Sequence, residues 1–395
     1  MSAQDHRVLA TDLAAHQPKQ LRVLLHDRLV GRLAQTPEGP VAFEYDRGWI
    51  ADGFSLSPLS LPLEQRVFIP NWLPFEGLWG IFDDSLPDGW GRLLLDRLLR
   101  RQGLDPEAIT ALTRLAIVGN GGMGALSYEP VITTEKEPAT VSSLDALAQD
   151  ALKVLETNDA HNLDELFIRG GSSGGARPKI VAHIEDADWL IKFPASIDPP
   201  DSGEQEYRYA LTAHDCGIEM PEVRLFPSAR CAGYFGVKRF DRRPKAGGGV
   251  ERLHVASAGA LLETSHRIPS LDYEVLMRLT LNLTKSFEEL EQLYRLMCFN
   301  VFAHNRDDHA KNFAFIYYPE LAAWRLSPAF DLTYSIGMAG EHATTVNGKG
   351  RDTTLADLVE LGMNAGLSRA RCQELAIMIQ EKAALLTLHT EHLRA

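Results

Sequence analysis

Eight consecutive residues, Asn305-Arg306-Asp307-Asp308-His309-Ala310-Lys311-Asn312, constrain this chain more than any other stretch. A long helical apolar period ends just before them, and two alternating runs, Phe313 to Tyr318 and Trp324 to Phe330, follow. Alternation at period two marks a half-buried strand, so the two runs predict a hairpin. That hairpin returns a further carboxylate, Asp331, to the side of the octapeptide. One short loop thus holds an Asp and an Asn five positions apart, with a second Asp delivered by the fold.

These residue types suit phosphoryl transfer. The reaction asks for one carboxylate to orient or deprotonate the attacking hydroxyl, and for oxygen ligands that hold magnesium against phosphates. Arg306, Asp307 and Asn312 keep the spacing H-R-D-x-x-x-x-N, with Asn305 in place of the His. Asp331 lies in Phe-Asp-Leu rather than Asp-Phe-Gly. Singly, each of these residues is explained as well by a capped helix end or a polar turn. The set, with its spacing and hairpin, carries the chemical reading.

Two further features fit it. Lys192 sits in the apolar strand Leu190-Ile-Lys-Phe, and Glu206 on the next predicted helix is the carboxylate to hold it. The bland alternative is an edge-strand lysine with its head in water. Gly170 to Gly175 surround Ser172 and Ser173 in a loop whose backbone N–H groups suit phosphate oxygens, or which is simply a flexible turn. No Walker loop is present. G-x-S-x-G occurs twice there, but a nucleophile elbow leads into a helix, whereas Pro178 and Ile180-Val-Ala-His-Ile predict a strand. His304, Asp307, Asp308 and His309 offer metal-ligand types, yet the helix is expected to break between the two histidines, and His309 is expected to fix the loop by hydrogen bonding.

Elsewhere, Leu21 to Asp46 predicts short strands, and Ser55 to Leu63 is extended by its prolines. Helices are expected over Trp90–Gln102, from Asp105 as N-cap to about Ile117, from Ser143 to about Leu155, and over Glu204–Cys216. Gly119 to Gly124 reads as a turn. The glycine-rich run from Phe167 leads into a strand, Asp188–Pro194 forms a second, and Val223–Phe226 and Tyr234–Phe240 form others. Beyond the Lys245–Gly249 loop tip, helices are expected over about Tyr273–Thr280, Phe287–His304 and Ser368–Leu393. Thr133 to Thr140 is the best linker. The net charge of −13 disfavours autonomous nucleic-acid binding. Four scattered cysteines read as reduced thiols, and with no signal-like or membrane-length apolar run the expected location is cytoplasmic.

The chain resembles the HipA family of type II toxin serine/threonine kinases over nearly its whole length. The resemblance rests on Gly174-Gly-Ala-Arg-Pro-Lys, Ile191-Lys-Phe-Pro, Glu206-Tyr, Val237-Lys-Arg-Phe-Asp-Arg, Asp307-Asp-His-Ala-Lys-Asn and Pro328-Ala-Phe-Asp. Ser55 to Leu63 through Leu86-Pro-Asp-Gly-Trp-Gly resembles the family's separate N-terminal subdomain. It implies an α+β fold: a kinase-like two-lobed core plus an N-terminal α+β subdomain, divided as 1–140, 141–240 and 241–395. It implies ATP and Mg2+, with Asp307 as catalytic base, Asn312 and Asp331 as metal ligands, and Lys192, held by Glu206, on the phosphates. Nucleotide contacts would come from Gly174, Gly175, Ala176, Lys179, His309 and Lys311. Val237, Lys238, Arg239 and Phe240 would form the adenine hinge. A helix-turn-helix, HipB-like antitoxin would be the partner and the sole route to DNA, and the substrate a translation-related protein such as a tRNA synthetase. Autophosphorylation of a loop serine, Ser172 or Ser173, would eject the loop and silence the enzyme. Asp308 departs from the glycine common at its position and is expected to weaken or merely decorate the loop.

The resulting expectation is an ATP- and magnesium-dependent protein kinase toxin. A catalytically silent nucleotide- or antitoxin-binding regulator and a metal-dependent hydrolase are the alternatives.

Overall fold

The computed structural model describes residues 9, 13, 17–133, 143–157, 162–171, 174–245 and 247–391. The chain divides into two compact units, Met1–Pro200 with Phe226–His254, and Asp201–Leu225 with Val255–Ala395.

The first unit opens with an antiparallel sheet ordered Val67–Phe68, Val41–Tyr45, Arg28–Gln35, Gln20–Leu25, Leu126–Glu129. Alternation buries Leu21 and Val23 while Arg22 stays out. The helix Gly89–Arg101 then buries Trp90, Leu94, Leu95, Leu98 and Leu99. That stripe packs against Leu147, Ala151 and Val154 of the helix Leu144–Glu156, and Leu163, Leu166 and Phe167 of the helix Leu163–Gly170. Ile180, Trp189 and Ile191 close the core from antiparallel strands Lys179–Ile184 and Ala187–Lys192, and Tyr234–Lys238 pairs beyond them.

Ser143 caps its helix as expected, accepting the Ala146 N–H. Two other expectations are corrected. The helix predicted from Asp105 to Ile117 is broken: Pro106–Ala108 forms a single 3₁₀ turn, Ile109 is extended, and Thr110 caps a new helix, Ala111–Val118, by accepting the Thr113 N–H. Phe167 to Gly170 is the last turn of a helix rather than the start of the glycine loop.

In the second unit the longer helices are Ser202–Asp215, Tyr273–Thr284, Phe287–Phe302, Leu355–Asn364 and Arg369–Glu391. Leu355–Asn364 has no counterpart among the sequence expectations; a Thr354–Asp357 capping box starts it. The predicted hairpin is present, Ala314–Tyr318 pairing antiparallel with Ala323–Leu326 in the register Phe315↔Leu326, with His254–Ser257 alongside. The fold is α+β, and no helix among the described residues is long and apolar enough to cross a membrane.

Candidate active site

In the second unit, the helix Phe287–Phe302 stops at Ala303, and His304, at φ +53°, turns the chain into the octapeptide. Asn305 is buried and ties the loop back to that helix. Its N–H donates to the Asn300 carbonyl, and its Nδ2 to Asn300 Oδ1, each at 2.9 Å. Asn300 Nδ2 in turn donates to Tyr273 Oη at 2.9 Å, and the Tyr273 hydroxyl donates to Asp308 Oδ2 at 2.8 Å. Burial, with the Asp308 carboxylate beside it, pushes the Tyr273 phenol well above its ordinary value, so it stays a donor.

Asp308 is the centre of this network and is 1% exposed. Oδ2 also hydrogen-bonds His342 Nδ1 at 2.9 Å. Oδ1 accepts the N–H groups of Ala343 (2.9 Å) and Thr344 (3.3 Å), and the Asp308 carbonyl accepts the Thr344 hydroxyl at 2.5 Å. The expectation that Asp308 weakens or decorates the loop is therefore corrected: it fastens the loop to the 342–344 segment from inside.

With Asp308 turned in, Asp307 is turned out, its side chain 59% exposed. Asn312 Nδ2 donates to the Asp307 carbonyl at 2.7 Å, which aims the amide oxygen away from that bond. His309 Nδ1 accepts the Lys311 N–H at 3.3 Å, capping the turn Ala310–Asn312, and Nε2 lies 4.0 Å from Asp307 Oδ1. Asp331 follows the hairpin at φ +58°, a left-handed backbone that costs a side-chain-bearing residue energy and is often retained at functional sites. Glu206 is buried on Ser202–Asp215, where a carboxylate requires a partner. The two histidines of the metal reading diverge: His304 lies against Tyr334 and His309 against His266. Among the described residues no three His, Cys, Asp or Glu converge as metal ligands.

The first unit carries the other sequence-predicted groups. Lys179 and Lys192 are direct cross-strand partners, and both are buried. Like charges opposite one another in a sheet are unfavourable, so each ammonium needs its own compensating group. Lys179 Nζ donates to the Gly174 carbonyl at 2.5 Å, and Lys192 Nζ lies 5.7 Å from the Phe235 ring centroid. Gly174, Gly175 and Ala176 are exposed. Ser172 and Ser173 lie outside the described residues.

Val237 and Lys238 pair with Leu190 and Trp189, and Phe240 is half-buried just beyond. Arg239, the other residue of the expected hinge, has its N–H and side chain engaged within the protein. Its N–H donates to the Asp188 carbonyl at 2.9 Å, and its guanidinium is spent on Asp241 at 2.9 and 2.7 Å. Three arginines, 239, 242 and 252, surround Asp241 and the carbonyls of Gly122 and Gly124; burial disfavours the Asp241 carboxylate, but Arg239 and Arg242, with the Gly124 N–H, hold its carboxyl far below its usual range.

Residues 21–129 match the family described as HipA N-terminal domain, and residues 171–385 match HipA-like C-terminal domain. The chain belongs to the HipA family. It is a HipA-like kinase, and the kinase family uses ATP. The Sinorhizobium fredii protein named "Putative kinase Y4mE" is 25% identical over 413 residues, spanning 94% of this chain and 93% of its own. A chain of the Shewanella oneidensis toxin–antitoxin complex of HipA, HipB and operator DNA shares the fold, with TM-score 0.69 at 18% identity, over 93% of this HipA-family chain and 91% of its own.

Proposed function

We propose that this HipA-family kinase transfers the γ-phosphoryl group of ATP, with magnesium, to serine or threonine hydroxyls of a protein, and that it is the toxin of a toxin–antitoxin pair. The observation that carries the reading is the octapeptide loop. Asp308 and Asn305 pin it from below, and this leaves Asp307 exposed and the Asn312 amide oriented.

The residues fit the group they would hold. Asn312 and Asp331 offer two hard oxygens, enough for magnesium, which takes its remaining ligands from water and phosphate. Lys179 and Lys192 supply positive charge for the phosphates. ATP and magnesium bring the transferable phosphoryl group and the neutralisation of its charge. Asp307 accepts the hydrogen bond of the substrate hydroxyl and aims it; an exposed carboxylate at the head of a rigid loop is suited to that work.

The substrate is a translation-related protein, such as a tRNA synthetase, and the partner a helix-turn-helix antitoxin of HipB type. Both follow from the HipA-family resemblance of the sequence motifs, and the toxin–antitoxin complex of similar fold supports the second. DNA is reached through that partner, consistent with a net charge of −13. A phosphate on Ser172 or Ser173 would add about −1.5 to −2 charge to the loop proposed to receive the ATP phosphates, which favours a self-silenced state.

Incubation with labelled ATP and magnesium, followed by phosphosite mapping, tests this. Wild-type chain should carry label, and Asp331→Ala should not. Asp307→Asn should slow transfer by about 10²- to 10⁴-fold, as expected on losing a positioned base, with its melting temperature unchanged. Transfer that survives Asp307→Asn refutes the base assignment. ATP binding without transfer, in protein whose intact mass shows no prior phosphate, makes the chain a silent binder.

A further inference from the structure

Asp88 precedes the helix Gly89–Arg101, the position from which a carboxylate ordinarily accepts an N–H of its own helix. It makes no such bond. Its Oδ1 instead accepts the N–H of Gly175, in the glycine loop 87 positions away, and a Cβ at Gly174 would stand 2.9 Å from the same oxygen. Around this contact the two segments meet backbone to backbone. The Trp90 N–H donates to the Gly175 carbonyl at 2.8 Å, and the Trp90 indole N–H donates to the Lys179 carbonyl at 2.9 Å. A Cβ at Gly89 would lie 2.3 Å from the Gly175 carbonyl oxygen, and one at Gly170 would lie 2.4 Å from that of Lys179. Only glycine permits either approach.

The loop offers a phosphate two kinds of donor, backbone amide and lysine ammonium. Here both are engaged by the protein: Gly175 N–H by the Asp88 carboxylate, and Lys179 Nζ by the Gly174 carbonyl. A carboxylate on a loop amide is the chemical stand-in for a phosphate oxygen. It also repels phosphate from the amides near it.

We propose that Asp88 is a latch on the glycine loop. Its carboxylate holds the Gly175 amide until a nucleotide phosphate displaces it, so this residue of the N-terminal subdomain sets the affinity for ATP. Asp88 is a positioning residue in this account and takes no part in the transfer. The proposal rests on the glycine loop being the phosphate-binding loop.

The test uses the full chain as wild type, Asp88→Asn and Asp88→Ala. Asn preserves size and an acceptor oxygen while removing the charge; Ala removes the acceptor. Hydrogen exchange at Gly175 without nucleotide reads the latch alone. Calorimetric titration with magnesium and an ATP analogue bearing a non-transferable γ-phosphate reads its consequence. Gly175 exchange should be faster in both variants, most in Ala. Affinity should rise about tenfold, ~1.4 kcal/mol, on losing a charge-assisted bond from the nucleotide-free state. Unchanged exchange in both variants overturns the latch. Faster exchange with equal or weaker binding overturns it too, and makes Asp88 a support for the phosphate-binding form. Failure of all three proteins to bind the analogue sinks the nucleotide reading and the latch with it, a result distinct from the other two.

Discussion

In the proposed function the octapeptide loop and the glycine loop share one task, holding polar backbone and side-chain groups ready for phosphate chemistry, and they are held by different means. The octapeptide loop is fixed by side chains from its own unit: one buried carboxylate gathers a phenol, an imidazole and two backbone N–H groups, and Asn305 fastens the loop's start. The glycine loop is gripped by its own backbone groups, which bond the Asp88 carboxylate, the Trp90 N–H and the Lys179 ammonium across an approach that only glycine allows, with Asp88 and Trp90 reaching it from far earlier in the chain. Side-chain fixation is redundant, because several bonds share the load. Backbone fixation depends on close approach and fails at one added carbon. In the proposed function, rigidity suits the loop that would aim the hydroxyl, and a small number of exchangeable contacts suits the loop that would take up and release a nucleotide.

Removing the hub tests the first half of that contrast and should have the largest effect. Asp308→Ala leaves the Tyr273 hydroxyl, the His342 imidazole and two N–H groups facing a space that the carboxylate filled. Deleting one member of a buried charged network costs about 3–5 kcal/mol. Thermal or denaturant unfolding should show a loss of that size, with transfer reduced in whatever fraction remains folded. A loss under ~1 kcal/mol would mean that the network is not what holds the loop.

Much of the octapeptide loop was legible because its spacing is local and its hairpin announces itself by alternation; the structure adds the register Phe315↔Leu326, which alternation alone does not fix. Asp308 was misjudged because two adjacent aspartates look alike in sequence, while the fold buries one and exposes the other. The clamp on the glycine loop was illegible for another reason. Leu86-Pro-Asp-Gly-Trp reads as an ordinary helix start, and nothing local says that its Asp caps a distant strand–loop junction instead of its own helix. Arg239 was read only as part of the run Val237 to Phe240, whereas Asp241 two residues on, with its ring of arginines, claims its side chain. The break at Ile109 hinged on Thr110 as a second cap, a choice between two adequate caps that propensity does not decide.

Gly89→Ala tests the second half of the contrast at intermediate size. The residue sits at φ +43°, and its new Cβ would meet backbone atoms of Gly175 and Ala176 at 2.3–2.9 Å, which no side-chain rotation relieves. Overpacking of this kind costs about 1–3 kcal/mol. Exchange protection should fall at 174–176 and stay unchanged at 305–312. Equal loss at both places would show that the two loops are not held separately.

Redundancy makes the smallest prediction the most discriminating. Thr344→Val removes the hydroxyl bonded to the Asp308 carbonyl but keeps the backbone N–H that donates to the carboxylate. A single neutral bond contributes about 1 kcal/mol, and four donors still hold the Asp308 side chain. Unfolding should shift by about that amount, while the transfer rate should change by less than about threefold, because the loop keeps its shape. A collapse of transfer with little loss of stability would place the catalytic geometry on this one hydroxyl. The octapeptide loop would then be as singly held as the glycine loop, and the contrast between them would fail.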